Sequence, residues 1–260
     1  MPLHRTAAWL RHWSTATDRH GVHSPFVFDL VERVLRPTTP PPRTRDLEAL
    51  RRQLKTDDRI ITVTDLGAGS RRMRGDQRRV RTIARNALCS PRQAAQLHRL
   101  AASVGARHVL EMGTSLGITT LYLARAVPEG RVTTLEGCPA TLAIAGEQFA
   151  RAGQTNIHPV PGDFRHTLPE VLKQSPPVDM AFIDGNHTAK ATLDHYHQLM
   201  TQARPGMVLV FDDLHWSPGM EQAWRTIIAD PHATVTIDLY RMGLVFPLRD
   251  QAKEHFVLRY

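Results

Sequence analysis

Three acidic residues stand where short apolar runs stop: Asp184 after "VDMAFI", and Asp212 with Asp213 after "GMVLVF". Adjacent like charges at the end of a buried strand need a counter-ion, a substrate or a backbone cap. All-oxygen ligand sets suit hard cations such as Mg²⁺, Mn²⁺ or Ca²⁺ and not zinc. A metal held by Asp184, Asp212 and Asp213 is therefore one expectation. Proton transfer is another. His187 lies three residues past Asp184 and His215 two past Asp213, and imidazole titrates near neutral pH. Asp184, His187 and His215 are the candidate catalytic residues, with His20 and His23 in "RHGVHSPF" as groups that could close over them. The plain alternative is that one of the paired acids only caps a helix starting near Ser217.

A second constellation lies upstream. In "VLEMGTSLGITTLYLA" a strand ends near Glu111, Gly113 and Gly117 flank a tight turn, and an apolar helix opens near Ile118. Glycines let a ligand approach the backbone, and a helix N-terminus offers free N–H groups. The next apolar run, "RVTTLE", ends in Glu136, where nucleotide-binding folds place a carboxylate for ribose hydroxyls. The run after it meets "PGDF", with Asp163. "ITVTDLGAGS" imitates such a turn through Gly67 and Gly69. However, "RRMRGDQRRV" follows it and is too polar for a buried helix, so it reads as a surface turn or as a lid with Arg71 or Arg72 reaching inward.

The elements that must position these residues alternate. After Gly105, short apolar runs and helical stretches follow one another, the pattern of a parallel sheet covered on both faces. "ATVTIDLY", "GLVF" and "HFVLRY" have no helix-length spacers and should pair antiparallel at one edge. Before Gly105 the chain reads as helices. One is capped by Ser24 with Pro25 at its first position, one covers Thr44 to Lys55, and one is capped by Ser90 and ends at Gly105. A proline-rich connector, "RPTTPPPR", joins the first two.

"EMGTSLGITT", "LEGCP", "GDF" and "FIDGNH", in that order, resemble the successive motifs of class I S-adenosylmethionine-dependent methyltransferases, especially the small-molecule O-methyltransferase branch. "HGVHSPFVFDLV", "DLGAGSR" and "QAKEHFVLRY" resemble a bacterial subgroup of that superfamily. The resemblance implies an α/β fold: a Rossmann-like, seven-stranded, mostly parallel sheet with an antiparallel edge. It divides the chain into a helical N-terminal cap, residues 1–105, and a cofactor-binding domain, residues 106–260. It implies S-adenosyl-L-methionine as cofactor. Glu111, Gly113, Ser115 and Gly117 would lie along its methionine part, Glu136 at the ribose, Asp163 near the adenine and Asp184 near the sulfonium. Metal-dependent catechol-type enzymes have an Asp-Asn pair where this chain has Asp212–Asp213, and tend to carry a second acid and a Lys where it has "IDGNH". Those departures leave Mg²⁺, Mn²⁺ or Ca²⁺ at Asp184, Asp212 and Asp213 open beside a His187 or His215 base. Trp216 would wall a planar acceptor or sit in the core.

Composition narrows the partners. The chain has 260 residues, 42% hydrophobic and 22% charged, and a net charge of +8. Residues 43–92 hold 14 Lys and Arg against 6 Asp and Glu, so the whole excess lies there. The resemblance implies a small-molecule methyl acceptor as partner; the protein is expected to be cytoplasmic and without a membrane span, with a homodimer left open. RNA gripped by the basic segment is the alternative partner, and a non-catalytic cofactor-binding protein the alternative role. Cys89 and Cys138 form neither a disulfide framework nor a zinc pattern.

Overall fold

Local signals start most of the helices. The computed structural model describes residues 3–64 and 75–260. The stretch 65–74 lies outside them, and with it the expectations for Gly67, Gly69, Arg71 and Arg72. The described residues divide into two units, one of residues 1–37 with 178–260 and one of 38–177.

The chain opens with α1 (Leu3–Thr15) and α2 (Pro25–Leu30), the latter running on into a π turn, Val31–Leu35. Ser24 caps α2 by accepting the Val27 N–H at 3.4 Å, with Pro25 at the first position, as the sequence predicts.

The unit 38–177 begins with α3 (Leu47–Leu54), the antiparallel pair β1 (Ile60–Thr62) and β2 (Gln77–Arg79), α4 (Val80–Asn86) and α5 (Pro91–Ser103). Helix α3 starts later than Thr44, whose hydroxyl instead donates to the Pro41 carbonyl at 2.7 Å. Ser90 caps α5 by accepting the Gln93 N–H at 3.2 Å. Then come β3 (His108–Met112), α6 (Ile118–Ala126), β4 (Arg131–Glu136), α7 (Pro139–Arg151), β5 (Ile157–Pro161) and α8 (Phe164–Gln174). Strands β3, β4 and β5 are parallel neighbours, with Leu110 opposite Thr133 and Leu135 opposite Val160. Leu47, Val80, Ile83, Leu121, Ile144 and Phe149 share one buried cluster, so helices on both sides of residue 105 pack into a single core.

The other unit resumes with β6 (Met180–Ile183), α9 (Ala189–Met200), β7 (Val208–Asp212), α10 (Pro218–Ala229), β8 (Val235–Asp238), β9 (Met242–Phe246) and β10 (Glu254–Val257). β6 and β7 are parallel, β9 is antiparallel to both β7 and β8, and β10 is parallel to β8. Within this unit the strands lie in the order β10-β8-β9-β7-β6. The mostly parallel α/β architecture is as expected, with two corrections. Among the described residues after 105 there are eight strands rather than seven, and the last pairs parallel. The cause of the second is topological: β9 occupies the place beside β7, so the chain after Phe246 must pass to the far side of β8 and arrives there in the direction of β8. β10 is half-exposed, as an outer strand is. No described helix is long and apolar enough to cross a membrane.

Candidate active site

In the unit 38–177 the polar groups at the strand ends are held largely by backbone. Gly117 precedes α6 with φ of +81°. A Cβ there would come within 2.6 Å of Phe149 Cε1 and 2.9 Å of Ala145 Cβ, so only glycine fits. Ser115 also adopts a left-handed backbone, φ +49°. That conformation is costly for a non-glycine residue and turns its N–H onto Glu136 Oε2 at 2.7 Å. The Cys138 N–H reaches Glu136 Oε1 at 2.9 Å. Burial pushes the Glu136 carboxyl above its ordinary range, against these backbone hydrogen bonds. Glu111 is fully buried, and its Oε2 accepts from Thr120 at 2.5 Å and Thr134 at 2.6 Å. Glu111, Gly113, Ser115, Gly117 and Glu136 thus gather around one turn. Asp163 stands at the end of the neighbouring strand, where it caps α8 and pairs with Arg165 at 2.6 Å, which holds its carboxyl below the usual range.

Sequence reasoning missed the threonines that seat Glu111. It also missed the second tie of Cys138, whose sulfur accepts the Thr64 N–H at 3.3 Å and so joins the strand β1 region to the loop after β4. The basic segment is partly spent. Arg59 pairs with Asp57 and Glu147, Arg79 and Arg81 with Asp58, and Arg51 with Glu48.

In the other unit the strand ends carry side chains that meet one another. Ile183 stands opposite Phe211 in the β6–β7 register, so the next residues, Asp184 and Asp212, come side by side. They share a hydrogen bond, and Asp184 lies 3.6 Å from His187 Nε2. Burial raises the Asp212 carboxyl well above its ordinary range, and the charges of Asp184 and Asp213 raise it further. Burial also disfavours the His187 imidazolium, but the hydrogen bond and charge of Asp184, with Asp213 and Asp212, outweigh it and raise His187 to about 9. Asp213 has φ of +51°, a conformation aspartate tolerates better than most residues. It does not cap α10. Ser217 does, accepting the Met220 N–H at 3.2 Å.

The donor chemistry of Asp184, Asp212 and Asp213 suits a hard divalent cation. As they stand, however, two of the acids bond each other, and among the described residues no three His, Cys, Asp or Glu side chains are gathered around a shared point.

His215 has both ring nitrogens engaged, Nδ1 by Glu221 at 2.9 Å and Nε2 by Asp238 at 3.1 Å, and its ring stacks on Tyr240 at 5.1 Å. Arg11 of α1 reaches the same Glu221 with contacts of 3.0 and 2.9 Å, and His12 lies 3.5 Å from Asp238. These contacts place His215 in a tether for α1 and leave His187 as the histidine beside the acids. The Trp216 ring lies 6.4 Å from His187 and under the Arg5 guanidinium at 5.2 Å. His20 and His23 are exposed, and His20 accepts from Arg19.

Residues 110–214 match the family described as "Methyltransferase domain". The chain is 34% identical over 128 residues to a catechol O-methyltransferase of Niastella koreensis, covering 48% of this chain and 57% of the relative. It is 36% identical over 127 residues to a catechol O-methyltransferase of Mycobacterium tuberculosis, covering 48% and 56%. It therefore spans a little over half the length of these curated relatives. The fold is similar to a methyltransferase of Podospora anserina solved with S-adenosylhomocysteine, at TM-score 0.61, 14% identity and coverage of 88% and 100%. It is also similar to the O-methyltransferase from Bacillus cereus in complex with the same compound, at TM-score 0.56, 21% identity and coverage of 85% and 97%. The matched segment, residues 110–214, is thus similar in sequence to methyltransferase domains, and the fold is similar to that of solved methyltransferases.

Proposed function

We propose that the chain transfers a methyl group from S-adenosylmethionine to a hydroxyl of a small phenol- or catechol-like acceptor. The observation that carries this reading is the family match over residues 110–214, which runs from within β3 through the acids at the end of β7. The names of the curated relatives support the acceptor class.

When bound, the cofactor supplies a methyl carbon activated by a cationic sulfur. Glu136 is suited to its ribose, because one carboxylate can accept from two neighbouring hydroxyls. Gly113 and Gly117 allow close approach at the turn, with Glu111 and Ser115 shaping it, and Asp163 is assigned to the adenine side. Asp184, His187 and the following acids are assigned to the acceptor. His187 takes the hydroxyl proton, and Asp184 steadies the imidazolium that results. With its pKa raised to about 9, His187 is neutral and able to take that proton only as the pH approaches that value, so activity should rise with pH up to there. A divalent cation, where bound, would be held by Asp184, Asp212 and Asp213 and would make the acceptor hydroxyl more acidic. Residues 1–105 are assigned the cap and 106–260 the methyltransferase domain. RNA is the weaker reading of the acceptor, since Arg51, Arg59, Arg79 and Arg81 already meet carboxylates.

The test is to incubate the protein with S-adenosylmethionine, magnesium and catechol and to assay for the monomethyl ether by mass spectrometry. Product is expected, and His187→Ala should lower kcat by about 100-fold or more. No methylated product from catechol or a panel of phenols would leave the non-catalytic reading.

A further inference from the structure

Two arginines near the acidic strand ends have no carboxylate of their own. Arg5 on α1 and Arg241 in the β8–β9 turn line one recess with Asp213, His215 and Tyr240. The recess is small and partly open to solvent. Among the described residues neither guanidinium has an acidic partner within salt-bridge distance, whereas Arg11, Arg59 and Arg204 each have one. The backbone at both residues is also held in place. The Tyr240 hydroxyl donates to the Arg5 carbonyl at 3.0 Å, and the Tyr240 N–H donates to Asp238 at 2.7 Å. The turn closes through Arg241 N–H to Leu239 O at 2.8 Å. Arg5 lies over the Trp216 ring at 5.2 Å, an arrangement that fixes a guanidinium while leaving its in-plane donors available to a planar anion.

We infer that this recess binds a carboxylate on the methyl acceptor, so that the preferred acceptors are hydroxyaryl acids rather than neutral phenols. The inference rests on the methyltransferase reading for the word acceptor, but the anion site itself does not. Two guanidiniums facing one acid, Asp213, leave the recess net positive. A carboxylate there would gain charge-assisted, bidentate hydrogen bonds. Asp213 also belongs to the group assigned to the acceptor hydroxyl, so one ligand would be held by its acid and presented by its ring. The competing account is that Arg5 and Arg241 only offset the nearby acids; Arg241 does lower the cost of charge on Asp212. That account predicts no preference among acceptors.

The experiment compares 3,4-dihydroxybenzoate with catechol by calorimetry on the full chain, with magnesium, in the presence and absence of S-adenosylhomocysteine. The inference predicts that the benzoate binds at least about tenfold more tightly. That ratio should fall to about twofold or less in the Arg5→Gln, Arg241→Gln double variant, while Arg241→Lys should keep most of it. Arg241 is exposed, so Arg241→Gln alone serves if the double variant melts early, and it should reduce the ratio at least about threefold. Equal affinity in the wild type, no binding of either compound, or a ratio that survives the substitutions would overturn the inference. Loss of S-adenosylhomocysteine binding alone would instead count against the methyltransferase reading, because the benzoate preference is also measured without it.

Discussion

The strand ends of the unit 38–177 and those of the other unit are built in different ways. Around Glu136 the work is done by backbone: N–H groups of Ser115 and Cys138, a left-handed Ser115 and a glycine that nothing larger can replace. Around Asp184 and His215 it is done by side chains, some from far along the chain, such as Arg11 on Glu221, 210 residues away. A backbone-built site should break when atoms are added, and a side-chain-built site when one is taken away.

Gly117→Val should give the largest effect. It forces a branched residue into φ of +81° and against Phe149 and Ala145, and should cost about 3 kcal/mol or more in chemical denaturation. A variant as stable as the wild type would show that the turn can move, and the contrast would lose one side. Glu221→Ala should come next. It leaves Arg11 and the half-buried His215 without their shared carboxylate and should cost about 2–3 kcal/mol, discounted because Arg11 is largely exposed. Proteolysis within α1 should quicken in step. An unchanged digestion pattern would mean that α1 is held by apolar contacts instead.

The smallest effect is on pH dependence. Glu136 accepts ribose hydroxyls only when ionised, and burial raises its pKa. S-adenosylhomocysteine affinity should therefore be full above that raised value and fall as pH drops through it, at a higher pH than an ordinary glutamate allows. Calorimetry across acid pH reads this limb, and Glu136→Gln should lack it. The same limb in that variant would place the titration elsewhere.

What the sequence made legible follows the same division. Ser24–Pro25 and Ser90–Pro91 announce helix starts because capping acts over three residues. The glycine turn before α6 and the acid ending β4 are equally local, and the strand-helix rhythm reveals the parallel sheet. The parallel pairing of β10 was not legible, because it depends on which neighbour β9 has already taken. Nor was the engagement of His215 by Glu221 and Asp238, since no spacing rule links a loop histidine to a helix and a distant strand. The helix start near Ser217 was legible, but Ser217 itself as its cap was not, because the paired acids upstream were the more conspicuous candidates.

The central claim is that the turn around Glu136 binds the cofactor of a methyltransferase. Calorimetric titration of the purified protein with S-adenosylhomocysteine tests it most directly. Saturable binding is predicted, weakened at least about tenfold in Glu136→Ala. No binding at ligand concentrations on the order of millimolar would contradict the claim, and equal affinity in the variant would remove Glu136 from the ribose.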